Sequence, residues 1–159
     1  MNDNPTTTEG LIATSLVDLD LDSTATDKDT AIRHLVELAH AAGRVSDVEL
    51  LLADVRAREQ QMATGLEGGI GIPHARSAAV RVPTLVFGRS SAGIDFGASD
   101  GPARIIFLIA APDDGDGAHL TVLAALARRL VHQSFREALI NAGDPKDVVE
   151  LVRNEVENR

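Results

Sequence analysis

The stretch ARIIFLIAA at residues 103–111 carries one charge, Arg104, and is otherwise apolar between Pro102 and Pro112. A short apolar run between such breakers suits an interior strand covered on both faces. Residues 84–88, TLVFG, repeat the pattern. Upstream, Val17, Leu19 and Leu21 alternate with Asp18, Asp20 and Asp22, which predicts a half-buried strand. A calcium loop starting at Asp18 is disfavoured. Its sixth position is Ser23 rather than Gly, and its twelfth is Asp29 rather than Glu.

Helical spacing surrounds these strands. Thr26 or Asp27 opens a helix with Ile32, Leu35, Val36 and Ala39 on one face and Gly43 as its stop. Ser46 and Glu49 have capping-box spacing before Leu51, Leu52 and Val55, in a helix ending near Arg58 and Glu59. Leu120, Leu123, Ala127 and Leu130 recur at helical spacing over residues 119–131. Ser134 and Glu137 form a second capping box, in a helix that stops at Gly143. Asp144 caps a last helix, with Pro145 in its first turn and Val148, Val149 and Val152 facing inward. The expected fold is α/β: a layered domain with a mixed, mainly parallel five-stranded sheet and helices on both faces. Residues 1–10 are expected to be a flexible tail and residues 11–156 one domain.

The 159 residues include 15 Lys plus Arg against 24 Asp plus Glu, a formal charge of −9. That balance argues against nucleic acid or anionic lipid as a partner, since both require a basic footprint. The absence of cysteine excludes disulfides, thiol nucleophiles and cysteine-ligated metals, and fits a cytoplasmic protein. Apolar runs reach only about eight residues, as in 120–127, short of the ~18 that a membrane helix needs. No membrane insertion is expected, and the opening MNDNPTTTEG is unlike a signal peptide.

Chemistry must therefore come from His, carboxylates, hydroxyls or Arg. His34 and His40 lie off the apolar face of the first helix, and His132 at a helix end, where structural roles suffice. His74 follows Ile70-Gly71-Ile72-Pro73, an apolar strand end with a rigid Pro before the imidazole. Gly65, Gly68, Gly69 and Gly71 permit close approach and turns that aim N–H groups at an anion. Spacing alone leaves His74 open between a chemical role and that of a satisfied half-buried histidine. His119 opens a helix, whose positive end favours a neutral imidazole able to donate one N–H to an anion. A solvated N-terminal histidine is the alternative there. The glycines match neither a phosphate loop nor a dinucleotide fingerprint, and no Gly-x-Ser-x-Gly elbow occurs. A metal site would need a third ligand beside His74 and His119, so neither metal nor cofactor is expected.

Three segments together resemble a known family: REQQMATGLEGGIGIPHAR at 58–76, GIDFGASDGPARIIFLIAAP at 93–112 and HLTVLAALARRL at 119–130. They are similar to enzyme IIA domains of the fructose–mannitol type in the phosphoenolpyruvate-dependent sugar phosphotransferase system, most of all to fructose-specific members. The likeness covers roughly residues 11–152. It implies a phosphotransferase in which His74 is the phosphorylated nucleophile, accepting from the phosphohistidine of the carrier HPr. His119 would then stabilise the phosphoryl oxygens, Arg58 would add a charged donor, and Thr64 would serve as a hydroxyl donor or orienting group. The onward acceptor would be a cysteine of an enzyme IIB domain, on a separate protein or on one polypeptide with enzymes IIB and IIC. A nitrogen-type regulatory enzyme IIA, uncoupled from sugar uptake, is the alternative. Members often carry Ala where Gly71 stands, a departure expected to be harmless, and Gly-Ser where Met62-Ala63 stands.

Overall fold

The computed structural model describes residues 10–114 and 117–157. Short turns at Thr14–Leu16 and Leu21–Ser23 flank strand β1 (Val17–Asp18), followed by helices α1 (Lys28–Ala41) and α2 (Val48–Gln61). Strands β2 (Gly65–Leu66), β3 (Ile70–Gly71), β4 (His74–Ser77), β5 (Thr84–Ile94) and β6 (Ala103–Pro112) come next. Helices α3 (Ala118–Leu130), α4 (Gln133–Asn141) and α5 (Pro145–Val152) close the chain, with a π-helical turn at Arg153–Glu157. No described helix is long and apolar enough to cross a membrane.

The sheet is mixed. Its order is β1-β5-β6-β3-β2, with β4 also paired to β6. β1–β5, β3–β6 and β4–β6 run parallel, whereas β2–β3 and the long β5–β6 ladder are antiparallel. β3 pairs with Ile105 and Ile106, and β4 with Ile109 through Pro112 on the same edge of β6. The six strands thus occupy five positions, because Ile72 and Pro73 divide one of them in two.

Neighbouring residues of β5 show that both sheet faces are covered. A Cβ on Gly88 would stand 2.9 Å from Leu21 and 3.1 Å from Leu35, so α1 packs closely on that face. Arg89 points to the other face. There its guanidinium donates to the carbonyls of Leu139 (3.1 Å), Ile140 (3.0 Å) and Ala142 (2.7 Å) at the end of α4. It satisfies acceptors that a helix end leaves unpaired. Phe87 and Phe107, in register across β5 and β6, tilt against each other with ring centroids 5.1 Å apart. One contiguous core includes Ile12, Phe87, Phe96, Phe107 and Val156.

Local signals hold with shifts of a residue or two. Asp27 caps α1 in a box with Thr30, and Gly43 follows at φ +80°. Asp47 rather than Ser46 caps α2, accepting from the Leu50 N–H, because Ser46 instead bonds the Ala79 carbonyl through both its N–H and its hydroxyl. His132 rather than Ser134 stands at the N-cap of α4, without a side-chain cap. Asp144 caps α5 as expected. The alternating stretch from Val17 yields only a two-residue strand. The Asp20 N–H turns back onto Asp18 Oδ1 (2.8 Å), and Leu21 is buried in a tight turn instead.

Asp22 ties that turn to the irregular part of β5, where its carboxylate accepts from Ser90, Ser91 and Ala92. The Ser90 hydrogen bond lowers its pKa most, desolvation opposes this, and the Ala92 and Ser91 amides lower it further. A depressed folded pKa contributes stability above the unfolded value of about 3.9, which disappears as pH falls through the folded value. Asp22→Asn should therefore flatten the loss of stability below pH ~4, measured by urea unfolding across that range. Arg89→Met should cost about 2–4 kcal/mol by the same assay, because it strips the α4 carbonyls of their donor.

Candidate functional site

Strand β4 begins at His74, where the residue before it, Pro73, interrupts the ladder along β6. Pro73 has no N–H to donate, yet its carbonyl still accepts from the Ile109 N–H at 3.0 Å. The chain therefore stays docked on β6 while leaving His74 half-buried at the strand start. His74 Nδ1 lies 2.9 Å from the Ile72 carbonyl oxygen. A carbonyl only accepts, so Nδ1 carries the hydrogen, and in the neutral form of the ring the lone pair is the one on Nε2. This is the ring-nitrogen distinction that sequence alone leaves open.

A second set of bonds runs beneath the imidazole. The Ile72 N–H donates to the Thr64 carbonyl (3.2 Å), and the Thr64 N–H donates to Glu59 Oε2 (2.8 Å). The Thr64 hydroxyl donates to Glu59 Oε1 (2.8 Å), so its hydrogen is committed to that carboxylate. Glu59 is only 7% exposed and pairs with Lys28 Nζ at 3.3 Å. Lys28 also lies 5.9 Å from the centre of the Phe96 ring. Neither Glu59 nor Lys28 is distinguished in the sequence, since a helix-end Glu and a first-turn Lys usually face water. The one available signal was Glu59 lying one residue after Arg58.

The glycine-rich segment serves close packing more than anion capture. Gly68 and Gly69, at φ +100° and +77°, make the turn between β2 and β3. The Gly65 N–H is taken by the Phe96 carbonyl and the Gly68 N–H by Asp100, so neither is aimed at a ligand. A Cβ on Gly65 would approach Ala98 N to 2.6 Å, and one on Gly71 would approach Phe96 Cγ to 2.7 Å. The connection after β5 thus lies directly on the hairpin that leads to His74. Gly71 is required by Phe96, and an alanine there is not harmless in this chain.

The other expected site residues fall as follows. Arg58, half-buried in the last turn of α2, donates to the Met62 carbonyl at 3.2 Å. Among the described residues no hydrogen bond joins Arg58 to His74. His119 is the second residue of α3, and its side chain lies outside the described residues. Its backbone follows from the end of β6, the strand on which β4 lies. Arg76, two residues along β4 on the same side as His74, donates to the Asp113 carbonyl at 2.8 Å, just past the end of β6. Leu120, expected on one helical face with Leu123, Ala127 and Leu130, is instead 59% exposed, the buried leucines of α3 being Leu126 and Leu130; Met62 is 69% exposed after α2.

The remaining histidines are separate from this site. His34 is half-buried rather than fully exposed, and its Nε2–H donates to Asp18 Oδ2 at 2.7 Å. His40 and His132 are exposed. Among the described residues no cluster of three or more His, Cys, Asp or Glu is placed to hold a metal ion.

With this geometry in place, comparison with known proteins becomes specific. Residues 11–155 match the family model described as phosphoenolpyruvate-dependent sugar phosphotransferase system, EIIA 2. A fructose-specific EIIA component of Haloferax volcanii is 41% identical over 140 residues, covering 87% of this chain and 91% of that protein. Among solved structures, the nitrogen regulatory protein IIA-Ntr of Neisseria meningitidis superposes with a TM-score of 0.78 at 29% identity, covering 88% of this chain and 94% of that one. Enzyme IIAMTL of Escherichia coli, in complex with phosphorylated enzyme IIBMTL, superposes with a TM-score of 0.75 at 25% identity, covering 90% and 97%.

Gly71→Ala is expected to destabilise the fold by about 1–3 kcal/mol, since the added methyl overpacks against Phe96. Phe96→Leu in that background should recover part of the loss. A double-mutant cycle by chemical denaturation measures this coupling, and additive losses would exclude direct contact.

Proposed function

Since this chain belongs to the EIIA 2 family of the phosphoenolpyruvate-dependent sugar phosphotransferase system and is a phosphotransferase, we propose that His74 is its phosphoryl-accepting group. The single observation that carries the proposal is the hydrogen bond from His74 Nδ1 to the Ile72 carbonyl. In the neutral ring it leaves the lone pair at Nε2 of the half-buried imidazole as the nucleophile. The donor is the phosphohistidine of the carrier HPr. The Nε2 lone pair forms a bond to phosphorus while the donor's N–P bond breaks, its electron pair returning to the donor imidazole. In the onward step a thiolate of an enzyme IIB domain attacks phosphorus, and the Nε2–P electron pair returns to His74. The described complex between enzymes IIAMTL and IIBMTL supports a partner of that kind. This chain has no cysteine of its own, so the thiolate is supplied by another domain.

Such a transfer passes through a loose transition state, and the protein's work is positioning and charge neutralisation. As Nε2 bonds phosphorus, the ring gains positive charge and the Nδ1–H becomes a stronger donor. Its bond to Ile72 therefore tightens in the transition state, which is where binding energy accelerates reaction. His119, at the start of α3, would donate to the phosphoryl oxygens together with the helix end. Arg58 would contribute a cation from the end of α2, and Thr64 orients rather than donates. Exposed Met62 and Leu120 provide apolar contact for carriers that must bind and leave. Partners of that kind support a cytoplasmic location.

The likeness to the fructose-specific component of Haloferax volcanii supports fructose as the transported sugar. The likeness to the nitrogen regulatory protein of Neisseria meningitidis supports a second reading, a phosphoacceptor that regulates without feeding a permease. Incubation with phosphoenolpyruvate, enzyme I and HPr should load one acid-labile phosphate, absent from His74→Ala. Uptake by that variant at the wild-type rate would overturn the assignment. Transfer onward to fructose through enzymes IIB and IIC separates the sugar reading from the regulatory one.

A further inference from the structure

We infer that Glu59 is a positioning residue for His74, acting through Thr64 and Ile72 rather than touching the reacting atoms. The inference rests on His74 being the phosphoryl acceptor. Three contacts carry it in sequence. Glu59 takes both hydrogens that Thr64 offers, at 2.8 Å each. The Thr64 carbonyl, fixed in that way, receives the Ile72 N–H at 3.2 Å. The Ile72 carbonyl then receives the His74 Nδ1–H at 2.9 Å. The two peptide groups of Ile72 are separate, so the linkage is one of orientation rather than of continuous polarisation. Pro73 makes it stiff, because its ring fixes φ between Ile72 and His74.

The contacts of Glu59 suit this duty. A carboxylate that is 7% exposed must be paired to remain charged, and Lys28 Nζ at 3.3 Å supplies the counter-charge. Lys28 is in turn held over the Phe96 ring, and Phe96 covers Gly71, the residue before Ile72. Glu59 and Phe96 thus restrain the Gly71–Ile72 segment from two directions. The imidazole then meets an incoming phosphorus in a prepared orientation and tautomer. A misplacement of about 1 Å in such a reaction costs roughly 10²-fold in rate.

The test uses the full chain with Glu59→Ala and Glu59→Gln. Two measurements are made on each: phosphorylation kinetics with HPr as the varied substrate, and the His74 tautomer from 15N–1H correlations, with His74→Ala assigning the signals. Glu59→Ala should lower kcat by about ten- to a hundredfold with KM for HPr within about twofold, and reduce the Nδ1–H population of His74. Glu59→Gln can still accept from the Thr64 N–H and should restore most of both. Should Glu59→Ala fail to fold, the test passes to Lys28→Met combined with Glu59→Gln, which removes the paired charges together while keeping the amide acceptor; it should retain the wild-type tautomer and kcat, and loss of both would overturn the inference.

A folded Glu59→Ala protein with unchanged kcat and tautomer would overturn the inference. So would a loss shared equally by Glu59→Gln, or a rise in KM alone. If the wild-type protein takes up no phosphate on His74, the functional proposal fails while the tautomer measurement still decides whether Glu59 orders the ring.

Discussion

Strand β6 is paired along both edges and buried on both faces, and that double constraint organises the rest of the molecule. β5 occupies one edge in an antiparallel ladder, while β3 and β4 share the other in parallel. A strand in this position must be apolar on both sides, as Ile105 through Ala110 are. Helices then cover both faces, α1 close over Gly88 and α4 anchored by Arg89. β6 precedes α3 in the chain, and its last four residues, Ile109 to Pro112, pair with β4 from His74 to Ser77.

The break between β3 and β4 converts this scaffold into a site. A continuous strand would bury His74 in a regular ladder. Pro73 removes one donor, keeps one acceptor, and lets the chain bend so that the imidazole can reach back to Ile72. The glycines on the approach allow the Phe96 connection to lie flat against the hairpin, and Glu59 secures its base. The phosphoryl transfer proposed for His74 asks for little covalent chemistry from the protein, and an imidazole whose Nδ1 is held by a backbone carbonyl suits that demand.

Much of this was legible in the sequence because it depends on neighbours along the chain. The Asp27 and Asp144 caps, the Gly43 stop and the apolar strands at 84–88 and 103–111 follow from local pattern. Where two capping side chains competed, tertiary contact chose between them, as when Ser46 bonded Ala79 and left Asp47 to accept from the Leu50 N–H and cap α2. The alternating run from Val17 carried a true period of two, but Asp18 had a closer acceptor role toward Asp20. The extension of β5 through Arg89, Ser90 and Ser91 was hidden because its polar residues bond Asp22 and α4 rather than forming an apolar stripe.

By itself the sequence determined the fold class and the exclusion of thiol chemistry, and it marked His74 as a candidate, since periodicity, a missing residue type and a Pro-His junction need no coordinates. Only the tertiary structure decided which ring nitrogen is free, why Gly71 must lack a side chain, and that Glu59 is buried under the site. Each of those depends on atoms brought together from separate segments: α1, the end of α2, the hairpin and the connection after β5. A hydrogen bond's donor, acceptor and direction are properties of that meeting, and residue order alone does not contain them.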